Sequence, residues 1–367
     1  MRNFWLVQSC FVALTINSML SVAASSYKSV HDLQTTVAMN APLVQPAAPS
    51  VAQAPAAVTE SDNLNLADAR HYMLSLINRD RASMGLKAVV IDEIAGRAAQ
   101  THSDDMATKG YLSHYDQSGA NPIERYTGAG GTDYTMENVD IHTVGDYHPH
   151  AVAVTVPVDA QPTFKRSEIE RLESLYFNEV APNDGHRRNI LDPAHTSVGL
   201  GLSKAHAGDR GVRITSDQEF INKYGEFQPI PNKAMPGQKI GFQGRLQKGF
   251  KLFNVDISLG TIPQSMTMAQ LNIPASYGLP SNRVTTFFPP PYPSPAKVAV
   301  KNTRDGEEFA LEVNTSKWAP GQYYFAVWAV GEDRNHPFVV SVRTVTVADT
   351  NYTASLPGKT TTIASSQ

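Results

Sequence analysis

The sequence is short of cysteine, of net charge and of long apolar runs. Cys10 is the one cysteine in 367 residues. A single thiol makes no intramolecular disulfide and no Cys-rich metal site, so disulfide scaffolds, zinc fingers and iron–sulfur proteins are excluded. Lys and Arg number 31 against 34 Asp and Glu, a formal charge of −3, which leaves no electrostatic footprint for nucleic acid. No stretch after the N-terminus approaches the roughly 18 apolar residues that a membrane-spanning helix needs. HExxH, GxSxG and Walker patterns are missing, and no repeat recurs at a fixed period.

What is present suffices for a folded protein. Hydrophobic residues make up 41% of the chain, an ordinary fraction for a real core, and the length suits two domains with tails. Arg2, the apolar runs 4–7 and 11–14, and the small residues 21–25 read as a signal peptide over residues 1–24. Cys10 should leave with it, and the product should be secreted, to the extracellular space, the periplasm or the cell surface. Residues 25–60 are rich in Pro and Ala without helical or strand period, the pattern of a disordered linker. The Thr/Ser-rich stretch 348–367 reads as a disordered tail. Two foldable blocks remain, 61–227 and 228–347.

The first block reads as α+β. Leu66, Ala69, Met73, Leu76 and Ile77 follow helical spacing, with Gly85 placed to end the helix. Asp92 can cap a second helix that stops at Gly110. The Ser167-Glu168-Ile169-Glu170 capping box should start a third, running toward Val180. Residues 198–202 and 211–215 read as a strand hairpin. The second block carries short alternating runs at 239–243, 253–257, 297–300, 309–313, 323–327 and 340–347, punctuated by Pro and Gly, which argue an all-β, Ig-like sandwich. Trp318, Trp328, Tyr323, Tyr324 and Phe325 are either packing residues or a carbohydrate platform.

Glu179 extends the apolar stripe Ile169, Leu172, Leu175 and Tyr176 in the third helix. A carboxylate there needs a partner, a metal or a cleft. The Asn183-Asp184-Gly185 turn can return His186 toward it. His102, beside Ala98, Ala99 and Met106, reads as a satisfied, partly buried histidine. His142, Asp146, His148 and His150 crowd an insertion over 140–163, either a solvated loop that borders a cleft or an accessory metal cluster.

Five segments then fall into a recognisable order. They are Leu76-Ile77-Asn78-Arg79-Asp80-Arg81-Ala82, Asp105-Met106-Ala107 with Gly110-Tyr111-Leu112-Ser113-His114, Glu137-Asn138, Gly185-His186-Arg187-Arg188-Asn189-Ile190-Leu191, and Val198-Gly199-Leu200-Gly201. Over residues 65–225 they resemble the CAP superfamily of cysteine-rich secretory, antigen 5 and pathogenesis-related proteins, in its bacterial SCP-like branch. The resemblance implies an α-β-α sandwich and a cleft holding two His and two Glu. By position these are His114, Glu137 and His186, with Glu179 matched through Tyr176-Phe177-Asn178-Glu179 to the family's aromatic-x-x-Glu. Such a tetrad suits Zn2+ or another divalent cation, or a small-molecule or lipid ligand. It implies a secreted binding protein that meets a cell-surface or extracellular partner through its β-sandwich. The alternative is a metal-assisted extracellular hydrolase of peptide, ester or cell-wall bonds. The family's associations are extracellular defence, host interaction and sterol or fatty-acid binding. The near absence of cysteine, with the short signal, favours a bacterial source.

Overall fold

Asn65 opens the first helix by accepting a hydrogen bond from the Asp68 backbone N–H at 3.0 Å, and Ala69, Met73, Leu76 and Ile77 turn inward along it. The computed structural model describes residues 62–144, 155–206, 211–331 and 336–348. The signal-peptide and linker assignments, most of the tail, and Asp146, His148 and His150 lie outside the described residues. In chain order the first block runs β1 (Asn63–Asn65), α1 (Leu66–Ser83), β2 (Val90–Ile91), α2 (Glu93–Lys109), α3 (Pro122–Gly128), β3 (Tyr134–Val144), β4 (Thr163–Lys165), α4 (Arg166–Phe177), α5 (Gly185–Ile190), β5 (Ser197–His206) and β6 (Val212–Asn222).

Local chemistry sets these boundaries. The Asp92 carboxylate accepts from the backbone N–H groups of Ile94 and Ala95 and so starts α2. Gly110, at φ 75°, ends it in the left-handed conformation. The sheet order is β2-β5-β6-β3, antiparallel except where β2 meets β5. One face of β5 presents Val198, Leu200 and Leu202 to Met73, Leu76 and Ile77 of α1 and to Ile169 and Leu172 of α4. Gly199 and Gly201 alternate with them and face α2. A Cβ at Gly199 would lie 2.1 Å from the Ala95 carbonyl carbon, and one at Gly201 would lie 2.2 Å from the Ala99 oxygen. These glycines let α2 lie directly on the sheet, which is thereby held between α2 and the α1/α4 layer.

Helix α4 departs from expectation. Glu168 accepts from the Lys165 N–H at 2.8 Å, so the helix starts earlier, and it ends at Phe177 rather than near Val180. Its inward residues are Ile169, Leu172, Glu173 and Tyr176, spaced i, i+3, i+4, i+7. Leu175 is 43% exposed, and Glu179 lies beyond the helix. The carboxylate on the apolar stripe is therefore Glu173.

After β7 (Gly225–Phe227), at the very end of the first block, the second block runs β8 (Lys233–Ala234), β9 (Lys239–Gln247), β10 (Lys251–Gly260), α6 (Met268–Leu271), β11 (Arg283–Phe287), β12 (Ala299–Thr303), β13 (Gly306–Asn314), β14 (Gly321–Val330) and β15 (Phe338–Val347), and β7 pairs with its β9. The strands form two sheets, β11-β10-β14-β15-β8 and β12-β13-β9-β7. Phe242, Leu246 and Phe309 of one sheet and Val255, Phe325 and Val327 of the other belong to one core. Tyr323 and Phe325 are buried in that core and Trp318 stacks on Tyr323 at 4.0 Å. On the opposite face of β14, Tyr324 and Trp328 pack against Ile123 and Tyr134 of the first block. These aromatics pack the core and the contact between blocks. Among the described residues no helix is long and apolar enough to cross a membrane.

Candidate functional site: two histidine–glutamate pairs at the edge of the sheet

β3 pairs only with β6 among the described residues, and the expected site residues gather along this edge strand. Glu137 sits in β3 with its side chain fully buried. His114 reaches it from the loop after α2, with Nδ1 2.7 Å from Glu137 Oε2. Arg125, on α3, donates to Glu137 Oε1 and to the His114 carbonyl at 2.7 Å. Asn121 and Glu124 close a reciprocal cap at the start of α3 and fix its position. Burial opposes the charge on Glu137, but Arg125 and then His114 outweigh it and hold the carboxyl down at about 2. Glu137 is therefore an anion throughout the physiological range.

The second pair forms outside α4. Glu179 Oε1 lies 2.7 Å from His186 Nδ1, and its Oε2 accepts the His186 backbone N–H at 2.8 Å. The short turn between them thus returns His186 to Glu179 as its spacing suggested. The His186 ring meets Tyr176 edge-on at 5.1 Å, and Asn138 donates to its carbonyl at 3.2 Å. Burial pushes the His186 pKa down against the pull of Glu179, and His114 adds to that push.

Each carboxylate can only accept, so each Nδ1 carries the proton. In a neutral ring held this way, Nε2 is the lone-pair nitrogen. The four expected residues thus form two His–Glu dyads. Among the described residues, the three-member group with ligand atoms all within 4.8 Å of one another is a different one: His102, Glu137 and Asp217, all buried.

Three parts of this region were not expected from the sequence. Arg125 is the guanidinium that ionises Glu137. Asp217 and Glu219, on β6, share a sheet face with Glu137, and Glu219 stands directly across from it. Burial first, then repulsion from Glu137, pushes both well above the carboxylate range. Two acids spaced i, i+2 within a strand run were the signal for them. The third is Tyr277, from the segment between α6 and β11. Its Oη accepts the Glu137 backbone N–H at 2.5 Å, and its ring lies 4.8 Å from that of His114. Leu271 joins Met106, Tyr111 and Val139 in one cluster beside it. The cover over His114 therefore comes from the second block. The 140–163 insertion reaches the sheet through a bridge from Val158 to Ala205, and His142 is hydrogen-bonded by Arg171 at 3.3 Å.

His102 differs from the satisfied, partly buried histidine expected of it. It is 1% exposed. Its Nε2 lies 2.8 Å from the Ser113 carbonyl, while its Nδ1 has no hydrogen-bond partner among the described residues. Burial, reinforced by Arg125, pushes its pKa down to about 4, so the ring is neutral.

Comparison with known proteins finds a family pattern within the first block. The sequence pattern of the cysteine-rich secretory protein (CAP) family matches residues 74–217, a span that contains both dyads. YkwD of Bacillus subtilis (strain 168) is 26% identical over 129 residues, 35% of this chain and 40% of that protein. The chain therefore spans about two-fifths of that relative's length. Among solved structures, an extracellular protein containing a SCP domain from Bacillus anthracis str. Ames is 23% identical, covering 42% of this chain and 40% of its own, with a TM-score of 0.28. An outer surface protein from Borrelia burgdorferi is 11% identical, covering 43% of this chain and 97% of its own, with a TM-score of 0.30. With the ordered segments and both dyads inside the matched span, this chain carries a CAP domain of the bacterial SCP-like kind.

Proposed function

We propose that the protein is secreted and that its His114, Glu137, Glu179 and His186 cleft binds a divalent cation or a small ligand. The observation that carries this reading is the commitment of each Nδ1 to a carboxylate. Such a carboxylate orients its ring and makes the distal nitrogen a better donor, the arrangement found behind metal-bound histidines. Two neutral imidazoles of this kind suit zinc. The low His186 pKa supports the reading, since a ring that resists protonation stays available as a ligand near neutral pH. Tyr277 packs on the His114 ring, so a ligand would reach that ring by displacing the tyrosine side chain.

In this reading the mature chain follows a signal peptide and linker, residues 61–227 hold the cleft, and residues 228–347 form an Ig-like sandwich that serves attachment or partner binding. A zinc titration by calorimetry on the purified chain tests the cleft, with the His114→Ala/His186→Ala double variant beside it. The wild type should bind one equivalent more than the variant. Equal binding by the two would refute the cation reading. Lipid extraction followed by mass spectrometry tests the small-ligand arm without a guess at the substrate.

A further inference from the structure

Behind the cleft, on the face of the sheet that meets α2 and α3, lies a cluster that the two dyads do not use. We propose that His102 Nδ1, Asp217 and Glu137 hold a buried divalent cation of the zinc or manganese class, which pins α2, β3 and β6 together beneath His114.

The argument begins with a proton. The Ser113 carbonyl can only accept, so the His102 nitrogen facing it at 2.8 Å, Nε2, carries the hydrogen. In the neutral ring Nδ1 is then a bare lone pair. It is buried and has no hydrogen-bond partner among the described residues, and a ring nitrogen of His102 lies within 4.8 Å of one carboxylate oxygen of Glu137 and one of Asp217. Three acceptors thus face one small space. Asp217 approaches Glu137 as a hydrogen-bond partner would; with both ionised neither brings a donor, and both Asp217 oxygens lack a partner among the described residues. Acceptors converge in this way around something positive.

The charge allows the same reading. Glu137, Asp217 and Glu219, if ionised, place three negative charges on one buried sheet face, and Arg125 supplies one positive charge. Arg125 balances Glu137, and the other two carboxyl groups are balanced either by a proton on each or by one divalent cation. A single proton shared by Asp217 and Glu137 would satisfy those two groups and leave His102 Nδ1 and Glu219 Oε1 without partners. A cation would serve the three convergent atoms at once. Arg125 and His114 each engage one oxygen of Glu137, and a carboxylate has about four lone-pair sites, so capacity remains for a metal. Donors on a common ion at about 2.0–2.2 Å lie at most about 4.4 Å apart, and the three atoms here all lie within 4.8 Å of one another. One imidazole with carboxylates suits zinc or manganese better than magnesium or calcium. The Ser113 carbonyl, by accepting from Nε2, fixes the tautomer and the ring orientation in the way that metal-bound histidines require. Full burial implies that the ion enters during folding and leaves slowly.

This site does not depend on the cleft reading, although Glu137 belongs to both. The test is elemental analysis of the full chain, produced in medium supplemented with zinc and manganese and then dialysed against EDTA under native conditions. Wild type and the His114→Ala/His186→Ala variant should each retain one metal per chain. His102→Gln and Asp217→Asn, checked for folding by circular dichroism, should retain at least tenfold less. Thermal unfolding of Asp217→Asn adds a readout of opposite sign for the two explanations. With a cation bound, the substitution lowers the midpoint. With a proton in its place, the amide mimics the neutral acid and the midpoint holds or rises, which would overturn the proposal. Metal-free wild type would overturn it as well. Metal that is lost in His114→Ala/His186→Ala but kept in His102→Gln would also overturn it, and would leave the cleft reading standing.

Discussion

Glu173 offers a direct measurement of what burial does to a carboxyl group in this fold. It lies in α4, on the opposite side of the sheet from Asp217, and is 1% exposed. Gln218 donates to its Oε2 at 2.7 Å, and Oε1 has no partner among the described residues. Burial is the dominant influence. It outweighs the Gln218 hydrogen bond, with Asp80 reinforcing it, and lifts the carboxyl from its ordinary 4.5 to about 8. Folded Glu173 thus keeps a proton that the unfolded chain releases near pH 4.5, and between those two values the native state binds more protons. Stability from this group is full below pH 4.5 and is lost as pH rises to about 8. At about 1.4 kcal/mol per pH unit, the loss between pH 5 and pH 8 is on the order of 4 kcal/mol. Glu173→Gln removes the titration and keeps an acceptor for Gln218. Other buried acids contribute slopes of the same sign, but they are common to both chains and cancel in the difference. Urea unfolding of both chains at pH 5, 6, 7 and 8 is the assay. The two should be of similar stability at pH 5, with the variant gaining steadily to the full difference near pH 8. A difference that stays constant across that range would refute the reasoning, because Glu173 would then titrate alike in both states.

Two further substitutions test the packing that positions the site. Gly199→Ala and Gly201→Ala would each drive a Cβ into the α2 backbone. Each should lower the thermal midpoint severely or abolish soluble expression, whereas Gly96→Ala, whose new Cβ meets only Leu200 N at 4.0 Å, should gain about 0.5–1 kcal/mol from helix propensity; equal effects at the three positions would refute the close-approach argument. Tyr277→Ala uncovers the His114 ring and should speed zinc entry to the cleft in stopped-flow measurements without changing the stoichiometry; an unchanged rate would show that Tyr277 does not limit access.

Much of this fold is readable from local signals. Asp92 and Gly110 mark both ends of α2 because caps act within a turn of the chain, and the alternating runs of the second block correspond to β9, β10, β12, β13, β14 and β15. The strands β7, β8 and β11 are not marked by any comparable pattern. β7 and β8 are three and two residues long, too short to show a period, and none of β11 is fully buried. The error at α4 is one of phase. Leu175 looks like a core residue by type, and only the packing of α1 and α4 puts Glu173 inward instead. His114, Glu137, Glu179 and His186 are visible through motifs, and the structure pairs them in twos. Arg125 and Tyr277 are not visible, because each acts across a sequence separation that no spacing rule covers. Asp217 and Glu219 lie past the end of the expected strand 211–215, in the part of β6 that the expected run leaves out.

The contribution of Tyr277 and Leu271 to the surroundings of His114 bears on how this CAP domain can be handled and inherited. A cut after residue 227 would yield a fragment with the matched family pattern intact but with Met106, Tyr111 and Val139 stripped of Leu271 and the Glu137 amide stripped of its acceptor. Such a fragment would uncover the His114 ring and the Glu137 amide, which Tyr277 covers in the whole chain. A gene fusion that exchanged the β block for another would alter those surroundings just as surely, without touching either dyad. For this protein the unit that defines the site extends into the second block, and experiments on ligand choice belong on the chain that contains both.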